Sequence, residues 1–232
     1  MDPMTDSPTE NVPARRPLEG AERLRAWWHL MTTDHGFVRS IYLNKHRVSD
    51  ELWRSAQPSP LHLERLADEG FRTVLNLRGA EEDNYRYRLE REACARLGLK
   101  LVSLPIRSRN PLKPEILREA IEVWDKLDAP TLMHCKSGAD RTGLMSTLYL
   151  HLVKGVPMRE AMGQLSLKYG HLRHGRTGIV DHVFEQFAAR HDETGISFRD
   201  WAEREYDPDT LQAGFQADWF ASLITDKILR RE

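Results

Sequence analysis

Apolar and polar residues alternate along the chain in blocks that predict strands followed by helices. Short apolar runs predict strands over residues 41–43, 52–54, 73–77, 101–104 and 131–134. Apolar residues at helical spacing predict helices over residues 60–69, 84–97, 114–127, 142–154, 158–169, 179–190, 197–205 and 211–231. The helix over 84–97 is predicted to be a charged surface helix. This alternation predicts an α/β fold with a central parallel or mixed sheet flanked by helices, followed by an all-helical C-terminal part.

The two ends of the chain differ from its middle. Residues 1–20 combine several prolines and acids with few large apolar side chains, which predicts a disordered tail. Residues 21–31 repeat apolar side chains at helical spacing (Leu24, Trp27, Trp28 and Met31). We expect this helix to pack its tryptophans on the domain, and an interfacial membrane helix is the alternative. The predicted domain covers residues 21–192, and a helical extension over 193–232 packs on it, with a partner-binding helix as the alternative.

Composition excludes several classes of protein. The formal net charge of -1 over 232 residues gives no reason to expect nucleic-acid binding. The two cysteines, Cys94 and Cys135, lie in unlike contexts without metal-ligand spacing, which argues against a disulfide scaffold or a structural zinc site. A signal-peptide pattern and a bilayer-spanning apolar run are both missing from the sequence, so we expect a cytoplasmic protein whose thiols stay reduced.

The candidate chemistry lies in residues 134–143, whose sequence is His-Cys-Lys-Ser-Gly-Ala-Asp-Arg-Thr-Gly. An apolar strand precedes this decapeptide and a helix follows it. A loop at such a junction offers backbone N–H groups and the positive end of a helix dipole to an anion. Cys135 starts the loop, and Arg141 lies six positions later, so a thiol and a guanidinium can face the same bound group.

Each position of the decapeptide has an expected role in phosphate-ester chemistry. The loop amides from Lys136 to Arg141 and the helix dipole favour a thiolate at Cys135. Arg141 can hold two phosphate oxygens bidentately. Gly138 and Gly143 permit the tight turn and the close approach of the backbone. The loop residues Lys136, Ser137, Gly138 and Ala139 are expected to bind the substrate. Thr142 can donate its hydroxyl to the sulfur, and His134 is expected to orient the loop by hydrogen bonding.

The decapeptide is similar to the signature of the cysteine-dependent protein tyrosine phosphatase superfamily, which is His-Cys, five residues, Arg, and then Ser or Thr. Residues 53–58 (Trp-Arg-Ser-Ala-Gln-Pro) and 73–78 (Thr-Val-Leu-Asn-Leu-Arg) resemble bacterial members of its dual-specificity branch. The resemblance covers about residues 42–190. It implies a tyrosine-phosphatase-like fold, with Cys135 as nucleophile, Arg141 as phosphate clamp, Thr142 as thiolate partner and His134 as support.

One residue that the family leads us to expect is missing. Relatives carry an Asp general acid on the loop after the preceding strand, but here that loop is residues 105–111 and contains no carboxylate. Asp140 is the preferred replacement, because an Asp at this place of the signature is thought to be the acid in myotubularin-like lipid phosphatases. The alternatives, Glu81, Glu82 and Asp83, follow another predicted strand.

The resemblance implies hydrolysis of phosphomonoesters through a cysteinyl-phosphate intermediate, without a metal or other cofactor. A tyrosine or dual-specificity protein phosphatase is the preferred interpretation. Basic residues at the predicted rim (Arg107, Arg109 and Lys136) resemble those of inositol-phosphate and phospholipid phosphatases, which is the alternative. A third hypothesis is a pseudoenzyme that binds phosphorylated partners.

The second cysteine, Cys94, is expected to pack in the core. The alternative is that Cys94 forms a disulfide with Cys135, as seen in relatives.

Overall fold

The computed structural model describes residues 16–32 and 43–217. Its strands are β1 (His46–Arg47), β2 (Leu52–Ser55), β3 (Thr73–Asn76), β4 (Lys100–Ser103) and β5 (Thr131–His134). Its helices are α1 (Gly20–Thr32), α2 (Pro60–Asp68), α3 (Tyr85–Leu97), α4 (Pro114–Glu122), α5 (Asp140–Leu152), α6 (Met158–Ala161), α7 (Ile179–Thr194) and α8 (Phe198–Arg204). Residues 208–217 are also helical.

The strands form one mixed sheet in the order β1-β2-β5-β3-β4. β1 is antiparallel to β2, whereas β2, β5, β3 and β4 run parallel to one another. Because parallel strands end at the same edge of a sheet, the segments that follow β2, β3 and β5 meet at that edge. This mixed sheet with its flanking helices is the α/β fold that the sequence predicted.

The strand predictions hold to within about one residue for β2, β3, β4 and β5. β1 was not predicted, because His46 and Arg47 carry no apolar signal. The strand predicted over residues 41–43 falls mostly outside the described residues, and Leu43 is not in a strand. The predicted start of α2 is confirmed, since Ser59 caps the helix with its side chain and Pro60 is its first residue.

One face of the sheet packs against α2 and α3. Leu63 and Leu66 of α2 and Ala93 of α3 are buried against Val74 and Leu132 of the central strands. α3 is therefore not the surface helix that its charges suggested, which corrects that prediction. Its charged residues Arg86, Arg88 and Glu90 are buried. Burial of Arg88 and Glu90 is tolerated because Arg88 pairs with Glu22 at 2.8 Å and Asn76 Nδ2 donates to Glu90 at 3.0 Å.

α1 packs on α3 through only part of the stripe that the sequence predicted, since Trp27 is partly buried there. Ala26 and Leu30 are buried against Leu89. Leu24 and Trp28 are instead 72% and 73% exposed, so the prediction of a buried stripe that includes them was wrong.

The chain divides into two compact units. The first contains the described residues up to Ile106 together with Val123–Thr142, and it includes the whole sheet. The second contains Arg107–Glu122 and the described residues from Gly143 onward. Within the second unit, side chains of α7 and α8 form a buried aromatic cluster that includes Phe187, Phe198 and Trp201. The predicted domain boundaries at residues 20/21 and 192/193 stay predictions.

Two helices of the second unit are shorter than predicted. α4 ends at Glu122, and a 3₁₀ turn over Val123–Lys126 follows it in the first unit. The single helix predicted over 158–169 was wrong, because α6 has only one turn and Ser166 adopts an extended conformation between two 3₁₀ turns. Across residues 16–32 and 43–217, none of the helices has both the length and the apolar character needed to cross a membrane.

Candidate active site

The decapeptide connects the central strand β5 to helix α5. β5 ends at His134, and α5 begins at Asp140, two residues earlier than predicted, so the loop itself is residues 135–139. The N-terminus of α5 leaves backbone N–H groups without intrahelical partners at the edge of the sheet where β2 and β3 also end. This is the strand, loop and helix arrangement that suits an anion.

The sulfur of Cys135 lies within the curve of the loop. The side chain is buried, with 3% exposed, and the backbone N–H of Gly138 donates to Sγ at 3.2 Å. An N–H donor at this distance stabilises a negative charge on sulfur, as does the nearby helix N-terminus. The amide of Gly138 therefore points to the side of the loop on which the thiol lies.

The carbonyl groups of the loop are held on the other side. Four consecutive carbonyls, from Lys136 to Ala139, accept hydrogen bonds from the segment that contains β1 and β2. The donors are Gln57 N to Lys136 O at 3.5 Å, Asn44 Nδ2 to Ser137 O at 3.0 Å, and Arg54 Nη2 to the carbonyls of Gly138 at 2.9 Å and Ala139 at 2.8 Å. Sequence reasoning assigned no role to any of these three donors.

The turn in the loop depends on Gly138. Its φ of 76° lies in the left-handed region, which side chains of L-residues disfavour. A Cβ at this position would come within 2.7 Å of the backbone nitrogen of Ala56, directly after β2. The predicted need for a small, flexible residue here has this physical cause, since the loop backbone lies directly against the end of β2.

The first turn of α5 carries three of the predicted site residues. Asp140 and Arg141 are half-buried, and Thr142 is fully buried. The Thr142 hydroxyl donates to Ala139 O at 3.4 Å and lies 3.3 Å from Arg54 Nη2. The expected hydrogen bond from this hydroxyl to Cys135 is not among its contacts in this conformation, so that role stays a prediction.

His134 is held between α3 and the loop. It is completely buried; its Nε2 lies 2.6 Å from Glu90 Oε1, and its Nδ1 lies 3.4 Å from the carbonyl of Cys135. The other oxygen of Glu90 accepts a hydrogen bond from Asn76 Nδ2 at 3.0 Å. Glu90 and Asn76 thus connect the end of β3 and α3 to the residue before the nucleophile. Neither was identified from the sequence.

The other predicted residues have varied surroundings. Lys136 and Ser137 expose their side chains from the loop. Arg107 and Arg109 are exposed residues of the second unit, and their place in a substrate site stays a prediction.

Among the alternative acids, Glu81 and Asp83 are exposed and Glu82 is buried, with Arg91 Nη1 at 2.7 Å from its carboxylate. The burial of this carboxylate and its pairing with Arg91 disfavour Glu82 as the acid.

Some of the missed residues had a signal in the sequence. Arg54 lies within a four-residue buried strand, and a charge in such a strand requires partners. Glu90 lies one turn before Cys94 on α3, and the apolar residues Leu89, Ala93 and Cys94 already mark the buried face of that helix. Asn44 had no such signal, because its hydrogen bond depends on a positive φ of 50° that the sequence does not display.

Cys94 is a free thiol in the core next to β5. Burial, with a smaller contribution from the charge of Glu90, raises its pKa well above the ordinary range for cysteine. A thiol in this environment is unreactive at neutral pH. In the described part of the chain, no three His, Cys, Asp or Glu side chains are grouped so that they could hold a metal ion.

Comparison with known proteins agrees with this geometry. A family model described as "PTP-NADK: DSP-PTPase phosphatase fused to NAD+ Kinase" matches residues 38–177. The dual specificity protein phosphatase TpbA of Pseudomonas aeruginosa is 27% identical over 124 residues for strain UCBPP-PA14 and over 140 residues for strain PAO1. These alignments cover 53% and 60% of this chain, and 53% and 57% of the relatives. The chain therefore spans about half the length of the curated relatives it matches.

A solved structure supports the fold. The crystal structure of P. aeruginosa TpbA has a TM-score of 0.50 and 22% sequence identity, and the match covers 74% of this chain and 90% of that chain. The family model includes β2, β3, β5 and the whole decapeptide, which together carry the strand, loop and helix described above. The chain belongs to the family of DSP-PTPase phosphatases fused to NAD+ kinase, a bacterial dual-specificity-like branch of the cysteine-dependent phosphatases.

Proposed function

We propose that this protein is a cysteine-dependent phosphatase that hydrolyses phosphomonoesters, with phosphorylated tyrosine or serine/threonine residues of proteins as its substrates. The observation that carries the proposal is the loop amide of Gly138 at 3.2 Å from the sulfur of Cys135, at the N-terminus of α5. A buried sulfur that accepts a hydrogen bond and is surrounded by the backbone amides of a loop fits a nucleophile that attacks a bound phosphate. The TpbA relatives, named as dual specificity protein phosphatases, support the same substrate class.

The proposed reaction has two steps. In the first, the thiolate of Cys135 attacks phosphorus, the S–P bond forms, and the bond to the ester oxygen breaks while Asp140 gives a proton to the leaving alkoxide. In the second, water attacks phosphorus, Asp140 accepts a proton from it, and the P–S bond breaks to release phosphate and thiolate. Arg141 and the loop amides neutralise the phosphate oxygens in both steps.

The remaining predicted residues have supporting roles in this scheme. His134 positions the loop through its contacts with Glu90 and with the carbonyl of Cys135. Thr142 stabilises the sulfur when it becomes the leaving group. Lys136, on the loop, adds positive charge beside the substrate. The proposed location is the cytoplasm, where a reducing environment keeps the Cys135 thiol from oxidation.

The second candidate is an inositol-phosphate or phospholipid phosphatase. Lys136 favours it, because an exposed cation within the loop suits a substrate that carries more than one phosphate. Arg107 and Arg109 are the proposed further contacts for such a substrate. Parallel turnover of a phosphotyrosine peptide and an inositol polyphosphate distinguishes the two candidates. If the polyphosphate is the true substrate, Lys136→Ala is expected to slow its turnover more than that of the phosphotyrosine peptide.

The decisive experiment compares wild type with Cys135→Ser on a panel of phosphomonoesters. We expect Cys135→Ser to be inactive, whereas Cys94→Ser, which changes the other cysteine, retains activity. Trapping of phosphocysteine in a burst of product would exclude a pseudoenzyme that only binds phosphorylated partners. Any hydrolysis that survives Cys135→Ser would contradict the mechanism.

A further inference from the structure

The loop of residues 135–139, which we call the phosphate loop, accepts hydrogen bonds from residues outside it. Arg54, on β2, is the largest fully buried side chain of the described residues, and one of its nitrogens donates to the carbonyls of both Gly138 and Ala139. Asn44, just before β1, donates to the carbonyl of Ser137. Three consecutive carbonyls of the loop are thus held by two side chains of one hairpin.

This arrangement fixes the direction of the amides. A peptide unit is planar and trans, so the N–H of each residue points opposite to the carbonyl of the residue before it. With the carbonyls of residues 137–139 turned to the hairpin, the N–H groups of residues 138–140 point the other way. The donation from Gly138 N to Cys135 Sγ shows that this other side is the one that holds the nucleophile.

The two side chains are themselves held firmly. Asn44 has a positive φ of 50°, a strained conformation for a residue with a side chain, and Nε2 of His46 lies 2.9 Å from its Oδ1. With its Oδ1 in this contact, Asn44 donates through Nδ2 to the loop. Arg54 contributes a buried positive charge on the carbonyl side of the loop. That charge favours an anion on the opposite side, because little solvent screens it.

We propose that Arg54 and Asn44 are positioning residues that keep the loop amides directed at the bound phosphate. They act through the carbonyls of residues 137–139 and do not touch the substrate. The inference rests on the proposed function, since it assumes that the group in the cradle is a phosphate or another tetrahedral dianion. Without the two side chains, the loop carbonyls can rotate toward the side of the loop that binds the anion, and their oxygens would repel it.

The test uses three variants and a matched control. Arg54→Met removes both the charge and the hydrogen bonds, whereas Arg54→Lys keeps the charge and changes the donor geometry. Asn44→Gly keeps the positive φ and removes the bond to Ser137 together with the contact to His46. Arg47→Met is the control, since Arg47 lies in the same hairpin with its side chain 60% exposed and pairs with Asp50.

Four measurements are made on each protein: circular dichroism to verify folding, the dissociation constant of tungstate as a tetrahedral dianion, the rates of Cys135 alkylation by iodoacetate and iodoacetamide, and kcat/KM for a phosphomonoester. Iodoacetate is anionic and iodoacetamide is neutral. The ratio of their alkylation rates therefore measures the preference of the loop for an anion, and it requires no catalytic turnover. We expect folded Arg54→Met to bind tungstate at least about tenfold more weakly, to lose the preference for iodoacetate, and to show a kcat/KM about 100-fold lower. Arg54→Lys falls between this variant and wild type, and Arg47→Met matches wild type.

Folded Arg54→Met with wild-type tungstate affinity and alkylation ratio would overturn the inference. If neither Arg54 variant folds, Asn44→Gly decides alone: weaker tungstate binding with an unchanged fold supports the inference, and unchanged binding refutes it. The proposed function fails separately, when wild type hydrolyses no phosphomonoester. The alkylation ratio still tests the two positioning residues in that case.

Discussion

At the scale of single residues, the main functional prediction concerns Asp140 as the general acid. It is the first residue of α5, half-buried, and adjacent to Arg141. If it is the general acid, Asp140→Asn slows hydrolysis of an alkyl phosphate by about 10²–10⁴-fold, but slows p-nitrophenyl phosphate far less, because that leaving group needs no proton. Steady-state kinetics on both substrates checks this.

Glu81→Gln is the control for the Asp140 experiment, because Glu81 is an exposed alternative acid whose carboxylate accepts a hydrogen bond from Asn84. It should leave both reactions unchanged. Equal slowing of the two substrates by Asp140→Asn would assign Asp140 a structural role instead.

Tyr206 gives a prediction for the pH dependence of stability. Its hydroxyl donates to the carbonyl of Leu112 at 2.6 Å, and burial raises its pKa above the ordinary value for tyrosine, which is about 10. The folded state therefore keeps a proton that the unfolded chain has lost. This contribution to stability is complete below about pH 10 and disappears as the pH rises through the raised pKa.

The corresponding measurement is urea unfolding of wild type and Tyr206→Phe at pH 8 and pH 11. Tyr206→Phe should cost about 1 kcal/mol at pH 8, since it removes one hydrogen bond. It should cost less at pH 11, where the wild-type contribution is already reduced. The same cost at both pH values would show that Tyr206 does not govern this dependence.

The residues that the sequence could identify are those whose role lies in a local pattern. Cys135 and Arg141 belong to one decapeptide, so their spacing alone indicated a shared ligand. Arg54 and Glu90 contact residues distant in sequence, so the local pattern signals their burial but not the residues that they contact. Their burial, not their identity, marks them as important.

At the scale of elements, the junction between β5 and α5 depends on how closely the loop lies against β2. Gly138→Ala introduces a left-handed alanine and a Cβ only 2.7 Å from Ala56 N, so the loop or β2 must move. Gly98→Ala, at the end of α3, is the matched control: its φ is 69°, but its Cβ would meet nothing within 4 Å.

Both alanine variants should lose about 1–2 kcal/mol from the left-handed conformation. Only Gly138→Ala should also lose activity and tungstate binding, by more than about tenfold, because only there does the substituent displace the loop. Thermal unfolding and tungstate titration separate the two effects. An active Gly138→Ala protein would mean that the loop tolerates displacement from β2.

The elements were predictable where apolar periodicity and capping residues agree. Ser59 and Pro60 located the start of α2, and the buried run of β5 was recognised completely. The prediction of a surface helix was wrong for α3, because its many charged residues made the buried face of the helix difficult to recognise in the sequence. The helix prediction was also wrong for residues 158–169, where the extended backbone at Ser166 interrupts a helix that the apolar spacing favours.

At the scale of the whole molecule, buried aromatic rings stabilise the second unit. Trp201 is 4% exposed and packs against Phe187, Phe198 and Tyr206. Trp201→Ala should lower the free energy of unfolding by about 3–5 kcal/mol, because it leaves a large cavity. Trp28→Ala, which changes the 73% exposed tryptophan of α1, should change it by at most about 0.5 kcal/mol. Equilibrium unfolding in urea compares the two, and equal effects would contradict the burial described for Trp201.

The fold class was predictable at this scale because alternating strands and helices leave few arrangements of a sheet. The order of the strands was not. β5 lies between β2 and β3, although both precede it by a long stretch of chain, and only pairing between distant segments determines that position. The packing face of α1 was also beyond prediction, since it depends on the shape of α3.

The central position of β5 has a consequence for synthesis on the ribosome. β5 must pair with β2 on one side and β3 on the other, and the donors that hold the phosphate loop come from the β2 side. A nascent chain that ends before β5 lacks the strand that lies between β2 and β3, and it also lacks the loop that follows that strand. Folding waits for these non-local pairings, so Cys135 enters the loop environment described above only after most of the first unit has been synthesised.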